Sequence, residues 1–165
     1  MEIYLMQHGD YLTKDKDPEE SLSSEGVEKM KKIAQALTRI NIKVDQIITS
    51  PKKRARETAE IVAHAVGSSP DKIIETPFVK PLTPPQETID YLGEFAHLSS
   101  LLIVGHLPSL TRITSFLLMD GSQAVIHFER GGIVRIDVEN LPTHSGQLRW
   151  YLTPELLGLI CSEKN

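Results

Sequence analysis

In the first two thirds of the chain, apolar positions alternate between short continuous runs and sets spaced three or four residues apart. Residues 2–7 make a run that stops at Gly9 and predict a buried strand. Residues 10–22 carry Lys14, Asp15, Lys16, Asp17 and Pro18 and predict a surface loop. Ser24 is placed to cap a helix, with Glu25 in the first turn and Val27, Met30, Ile33, Ala34 and Leu37 at helical spacing. Val44 to Thr49 predicts a second strand. Ser50 and Pro51 then supply an N-cap and a first-position proline for a helix running to about Val66. Residues 67–72 predict a turn, 73–75 a short strand and the proline-rich stretch 77–85 an irregular loop. A helix over 86–97, a buried strand over 101–104 and a helix over 109–119 follow. Strands are expected at 124–128 and 132–138, joined at Arg130-Gly131-Gly132, then at 147–152. A short helix through Leu156, Leu157, Leu159 and Ile160 packs on the body.

This alternation argues for an α/β fold, a three-layer α/β/α arrangement with a mainly parallel central sheet. The closely spaced last strands predict an antiparallel edge near the C-terminus. The 165 residues suit one domain covering 1–165.

Composition narrows the function. Apolar residues make up 40% and charged residues 24%, which is ordinary globular usage. A net charge of −4 gives no broad attraction to nucleic acid or to an anionic membrane, so neither is an expected partner. The single cysteine, Cys161, permits no internal disulfide and no zinc-binding pair. The apolar run Ile3-Tyr4-Leu5-Met6 is too short for a signal peptide, and no stretch has the length of a membrane helix. The expectation is a soluble cytoplasmic protein whose oligomeric state is not legible. No His-x-x-x-His, Asp-rich or P-loop spacing occurs, so no metal and no cofactor is expected.

Ligands of open α/β sheets sit beyond the carboxyl ends of the strands. Three such exits carry chemistry: Gln7-His8-Gly9-Asp10, Ser50-Pro51-Lys52-Lys53-Arg54 and Gly105-His106-Leu107-Pro108. Each residue alone has an ordinary structural reading. Together, two histidines and an arginine from distant segments suit phosphoryl transfer. A neutral imidazole attacks phosphorus, a guanidinium forks onto phosphate oxygens, and a second imidazolium stabilises developing charge.

The same residues carry a resemblance. The chain resembles the histidine phosphatase superfamily, in its small SixA-type protein phosphohistidine phosphatase branch. Leu5-Met6-Gln7-His8-Gly9-Asp10 stands where that family has a strand followed by Arg-His-Gly. Leu22-Ser23-Ser24-Glu25-Gly26 matches its Leu-Thr/Ser-x-x-Gly segment. Ser50-Pro51-Lys52-Lys53-Arg54-Ala55-Arg56-Glu57-Thr58 matches Ser-Pro-x-x-Arg-x-x-x-Thr in full, and Val104-Gly105-His106-Leu107-Pro108 fits its later Gly/Ser-His-x-Pro. Leu148-Arg149-Trp150-Tyr151-Leu152-Thr153-Pro154 resembles the closing strand. The departure is Gln7, where the family has one of two phosphate-holding arginines. Gln7 keeps an N–H donor but lacks the charge and the fork.

The resemblance implies a phosphoglycerate mutase-like fold and a phosphatase. His8 attacks phosphorus to form a phosphohistidine intermediate, which water then hydrolyses. Arg54, His106, Gln7 and the backbone N–H of Leu107 bind the phosphoryl oxygens. His8 must then be neutral at the attacking nitrogen, with its other nitrogen donating to a backbone carbonyl. Superfamily members that cleave esters use a carboxylic acid. Asp10, Glu87 and Asp90 are the candidates; Asp10 is nearest His8 in sequence, and all three also read as solvated charge. Such an acid matters less for a P–N bond. The expected partner is a phosphorylated protein or a small phosphorylated substrate. The readings are a protein phosphohistidine phosphatase, a small-molecule phosphomonoesterase, and a phosphate- or phosphoprotein-binding module with weak turnover because of Gln7. His64, His97, His127 and His144 read as structural or solvated, and Lys52 and Lys53 as a solvated helix start.

Overall fold

The computed structural model describes residues 1–120 and 126–162. Six strands form one sheet: β1 (Glu2–Gln7), β2 (Gln46–Thr49), β3 (Ile74–Glu75), β4 (Ser100–Gly105), β5 (Ile133–Asp137) and β6 (Gln147–Leu152). Their order is β3-β2-β4-β1-β5-β6. The first four run parallel, and β5 lies antiparallel to both β1 and β6. Five helices complete the layers: α1 (Ser24–Arg39), α2 (Lys53–Ala63), α3 (Pro85–Gly93), α4 (Ser109–Leu118) and α5 (Pro154–Ser162).

The period-two alternation of the strands divides the core in two. Tyr4, Met6, Ile47, Leu102 and Val104 face a cluster with Met30, Ile33 and Leu37 of α1, Ala55, Ala59 and Val62 of α2, and Leu157 of α5. Ile3, Leu5, Ile48, Leu101 and Ile103 face Ile89 and Leu92 of α3 and Leu110, Ile113 and Leu117 of α4. Central strands buried on both faces explain the uninterrupted apolar runs. The terminal helix sits on α1, where Cys161 Sγ donates to Gln35 Oε1 at 3.0 Å.

Several boundaries differ from expectation for identifiable reasons. Ser23 caps α1, accepting from the Gly26 N–H at 3.0 Å, and Ser24 is the first helical residue. Ser50 and Pro51 do not open α2. The Ser50 N–H continues the sheet by donating to Val104 O at 3.2 Å, and the helix starts two residues later behind Lys52. The end of that helix tightens into a 3₁₀ turn at His64–Val66, stopped by left-handed Gly67. Short 3₁₀ turns also occupy Pro70–Lys72 and Pro77–Val79, within the expected turn and loop. α3 stops at Gly93, where turn bonds take over as far as Leu98.

The strand expected at 124–128 is corrected as far as it is described. Residues 126–128 carry no ladder, while 124 and 125 lie outside the described residues. The chain turns instead over 129–132: the Gly132 N–H donates to Glu129 O at 2.7 Å, and the Gly131 N–H donates to Gln7 O at 3.0 Å. Gly131 takes φ +86° there, a conformation that suits a residue without Cβ.

Candidate functional site

The parallel pairing of β1 with β4 puts Gln7 beside Gly105, so the residues that follow, His8 and His106, leave the sheet side by side. β2 lies on the other side of β4, and its extension through Ser50 leads to Arg54 in the first turn of α2. The structure therefore brings His8, Arg54, His106 and Gln7 together. Their relative exposures are 4%, 7%, 2% and 8%, so all four polar side chains are buried and need partners.

The two nitrogens of His8 have different surroundings. Nδ1 lies 2.8 Å from Gly9 O, an acceptor, so Nδ1 carries the proton. Nε2 accepts from Arg54 Nε–H at 3.2 Å and therefore carries the lone pair. Burial pushes the imidazole down to about 4; the Gly9 carbonyl opposes this, and the Arg54 and Arg130 charges reinforce it. His8 is thus neutral near pH 7, with Nε2 free of a proton.

His106 packs against His8 at 4.8 Å between ring centroids, and neither of its ring nitrogens has a protein partner among the described residues. Burial, then the charges of His8 and Arg54, push it down to about 2. Without a bound anion this imidazole is neutral at neutral pH, because burial opposes its charged form. Gln7 Oε1 is likewise buried without a protein partner. The Leu107 N–H has no acceptor among the described residues, while its side chain is exposed.

Arg54 is held from three directions. Its Nη1 lies 3.4 Å from Glu20 Oε2, its guanidinium carbon lies 4.3 Å from the centre of the Tyr11 ring, and its Nε faces His8. Thr58 ties the first and second exits together: its hydroxyl donates to Arg54 O at 2.7 Å and accepts the Gly9 N–H at 3.0 Å. Tyr11 also meets His8 edge-on, with ring centroids 5.2 Å apart.

Of the acid candidates, Asp10 comes close enough for its charge to act on His8, but two cations hold it. Asp10 Oδ2 lies 3.1 Å from Lys29 Nζ and Oδ1 lies 3.3 Å from Arg130 Nη1. Partial burial pushes its carboxyl up, but the two cations outweigh that and hold it below the usual range. In this state Asp10 is an ion-paired carboxylate and not a protonated acid. Glu87 and Asp90 are exposed on α3 and line a surface cleft with Phe78 and Tyr91. Among the described residues no group of three or more His, Cys, Asp or Glu is arranged to hold a metal ion.

Four contributors escaped the sequence reading: Glu20, Tyr11, Thr58 and Arg130. Thr58 stood within the quoted motif without a role. Tyr11 and Glu20 lay in a stretch whose polar composition signals only a loop.

The sequence model described as histidine phosphatase superfamily (branch 1) matches residues 3–77, which include His8 and Arg54. An uncharacterized protein of Picosynechococcus sp. is 27% identical over 164 residues, covering 93% of this chain and 96% of that one. The mitochondrial serine/threonine-protein phosphatase Pgam5 of Drosophila persimilis is 32% identical over 93 residues, which is 54% of this chain and 32% of that one. The structure of the protein histidine phosphatase SixA complexed with tungstate superposes with a TM-score of 0.82 at 22% identity, covering 95% of this chain and 99% of that one. No helix among the described residues is long and apolar enough to cross a membrane.

Proposed function

From a chain that carries the histidine phosphatase superfamily signature over residues 3–77 and shares its fold with SixA, we propose a phosphatase that removes phosphate from phosphohistidine on a protein. The observation that carries this reading is the division of labour on His8: Nδ1–H donates to Gly9 O while Nε2 presents its lone pair at the three strand exits.

In the proposed reaction Nε2 attacks phosphorus and the P–N bond to the substrate imidazole breaks. The bonding pair leaves with that imidazole, which is protonated by solvent. Water then attacks phosphorus, the P–Nε2 bond breaks, and its pair returns to His8 as the water proton leaves. Arg54 and His106 bind the phosphoryl oxygens, joined by the Leu107 N–H and by Gln7 through its amide N–H. Bound anionic oxygens reverse the desolvation penalty on His106 and draw a proton onto it. Burial of both imidazoles beside a guanidinium supports this reading, because a dianion satisfies all three groups at once. The tungstate of the SixA structure is a tetrahedral oxyanion of the same shape. A P–N bond also suits a site whose carboxylates are each paired with cations, Asp10 with Lys29 and Arg130 and Glu20 with Arg54.

A second reading, a phosphomonoesterase acting on small molecules, draws on Glu20. Its side chain is 18% exposed and meets Arg54 at 3.4 Å, so a carboxylate stands against the phosphoryl site itself.

The test is phosphate release from a histidine-phosphorylated protein, with His8→Ala as the control. Release that vanishes in the control is expected. Faster release from a small phosphate ester favours the second reading. Phosphate binding with no release at all would leave a binding module.

A further inference from the structure

The site described above has one buried guanidinium and, at the end of β1, an uncharged Gln7. Another arginine stands next to that same strand end. The turn over 129–132 is clasped to the Gln7 backbone from both sides: the Gln7 N–H donates to Gly132 O at 3.1 Å, and the Gly131 N–H donates to Gln7 O at 3.0 Å. Arg130 is therefore delivered beside Gln7 by the backbone, not by the flexibility of its own side chain. Its guanidinium carbon lies 4.8 Å from the centre of the Tyr11 ring, the ring that Arg54 approaches to 4.3 Å. Tyr11 in turn meets His8 edge-on.

The two arginines have parallel arrangements. Arg54 meets Glu20 at 3.4 Å, and Arg130 meets Asp10 at 3.3 Å. Asp10 also holds Lys29 through its other oxygen at 3.1 Å, so it keeps a cation when Arg130 turns away. The Arg130 side chain is 44% exposed, so it has room to turn.

We propose that Arg130 is a phosphate-binding residue: it supplies the second guanidinium of the phosphoryl site from the turn after residue 128, standing in for the charge that Gln7 does not provide. The inference rests on the reading of His8, Arg54 and His106 as a phosphoryl site. A guanidinium that forks onto two phosphoryl oxygens makes charge-assisted bonds, and losing them weakens oxyanion binding by about tenfold or more.

The experiment is calorimetric titration with inorganic phosphate at fixed ionic strength. The proteins compared are the unaltered one and the Arg130→Ala, Arg130→Lys, Arg54→Ala, Gln7→Arg and Gln7→Arg/Arg130→Ala variants, with melting curves to confirm folding. Arg130→Ala is expected to raise Kd about tenfold or more, and Arg130→Lys to fall in between because it keeps charge but not the fork. In the Gln7→Arg background the same Arg130→Ala change is expected to cost much less, since the charge is already restored. Unchanged Kd in Arg130→Ala, with binding lost in Arg54→Ala, overturns the role of Arg130 and leaves the phosphoryl site standing. An equal loss in both backgrounds also overturns it, because Arg130 then does not substitute for residue 7. A loss seen with a phosphorylated protein but not with inorganic phosphate overturns it in favour of contact with the rest of the substrate. No phosphate binding by the unaltered protein overturns both this inference and the reading beneath it.

Discussion

Arg54 Nε–H and His8 Nε2 are joined by a hydrogen bond of 3.2 Å, so the guanidinium sits on the lone pair that attacks phosphorus in the proposed reaction. Attack requires that bond to be exchanged for one between Arg54 and a phosphoryl oxygen. The exchange is favourable, since a charge-assisted bond to an anion is stronger than one to a neutral imidazole. Substrate binding and exposure of the nucleophile are then one event.

The state of His8 predicts the acid side of the pH profile. An imidazole pushed down to about 4 stays neutral through the range where an ordinary histidine takes up its proton. The kcat/KM for phosphohistidine hydrolysis should show no protonation limb from this group near 6.5 and should fall only as pH approaches 4. A steady-state pH series checks this, and a limb at 6.5 that disappears on substitution of His8 would contradict it. The same shift predicts stability. Between 6.5 and 4 the unfolded chain binds the proton and the folded chain does not, so stability is lost as pH falls through that window. His106 acts in the same direction down to about 2. Melting curves of a His8→Gln/His106→Gln variant should fall less steeply over this window than those of the unaltered protein.

Gln7→Arg should raise kcat/KM on a histidine-phosphorylated protein by roughly tenfold, because it adds a transition-state donor where a buried amide oxygen has no protein partner. Steady-state kinetics of the two proteins decide the matter, and equal values would remove Gln7 as a determinant of rate.

Asp10→Asn should leave hydrolysis of phosphohistidine within a few-fold of the unaltered protein. Its carboxylate is anchored to Lys29 and Arg130 and has no proton to give. A drop of a hundredfold, with loss of the basic limb of the pH profile, would restore Asp10 as the acid.

Thr58→Val should destabilise the fold by about 1–3 kcal/mol, the cost of leaving a buried donor unpaired. The valine keeps the shape of the side chain, but the Gly9 N–H loses its acceptor. Because the same hydroxyl reaches Arg54 O, kcat/KM should fall more than the loss of folded protein explains. Denaturant titration together with kinetics on the folded fraction separates the two effects.

Gly26→Ala should destabilise as well. A Cβ there would sit 2.0 Å from Asp10 O, a backbone atom that cannot swing aside. Helix α1 would have to retreat from the first exit, at a cost of about 1–3 kcal/mol or more. A melting temperature unchanged from that of the unaltered protein would show that the loop yields without cost.

The sheet and the three exits were legible because each rests on local signals. Buried parallel strands write themselves as apolar runs, and the ligand end of such a sheet follows from its topology. His8, Arg54 and His106 could therefore be grouped from sequence. Arg130 could not, because Arg130-Gly131-Gly132 carries the composition of any hairpin turn. Its place is decided by two backbone bonds to Gln7, about 120 residues away in the chain. Glu20 and Tyr11 were hidden for the same reason. The loop that holds them folds back through a bridge between Tyr11 and Leu22 and through the Leu22 N–H on Glu57, contacts that no periodicity announces. Ser50 misled in the other direction: Ser-Pro is a helix-start signal, but the continuing ladder to Val104 won.

The register of β1 on β4 makes the sheet a ruler for the histidine pair. The centroid separation of 4.8 Å between His8 and His106 is close to the spacing of hydrogen-bonded strands, about 4.8 Å. What is discrete is the register: Gln7 pairs with Gly105, so the next residue on each strand leaves the sheet at the same level. A slip of one residue would separate the two histidines along the strand direction by about 3.3 Å. Small movements of the outer helices leave that register unchanged.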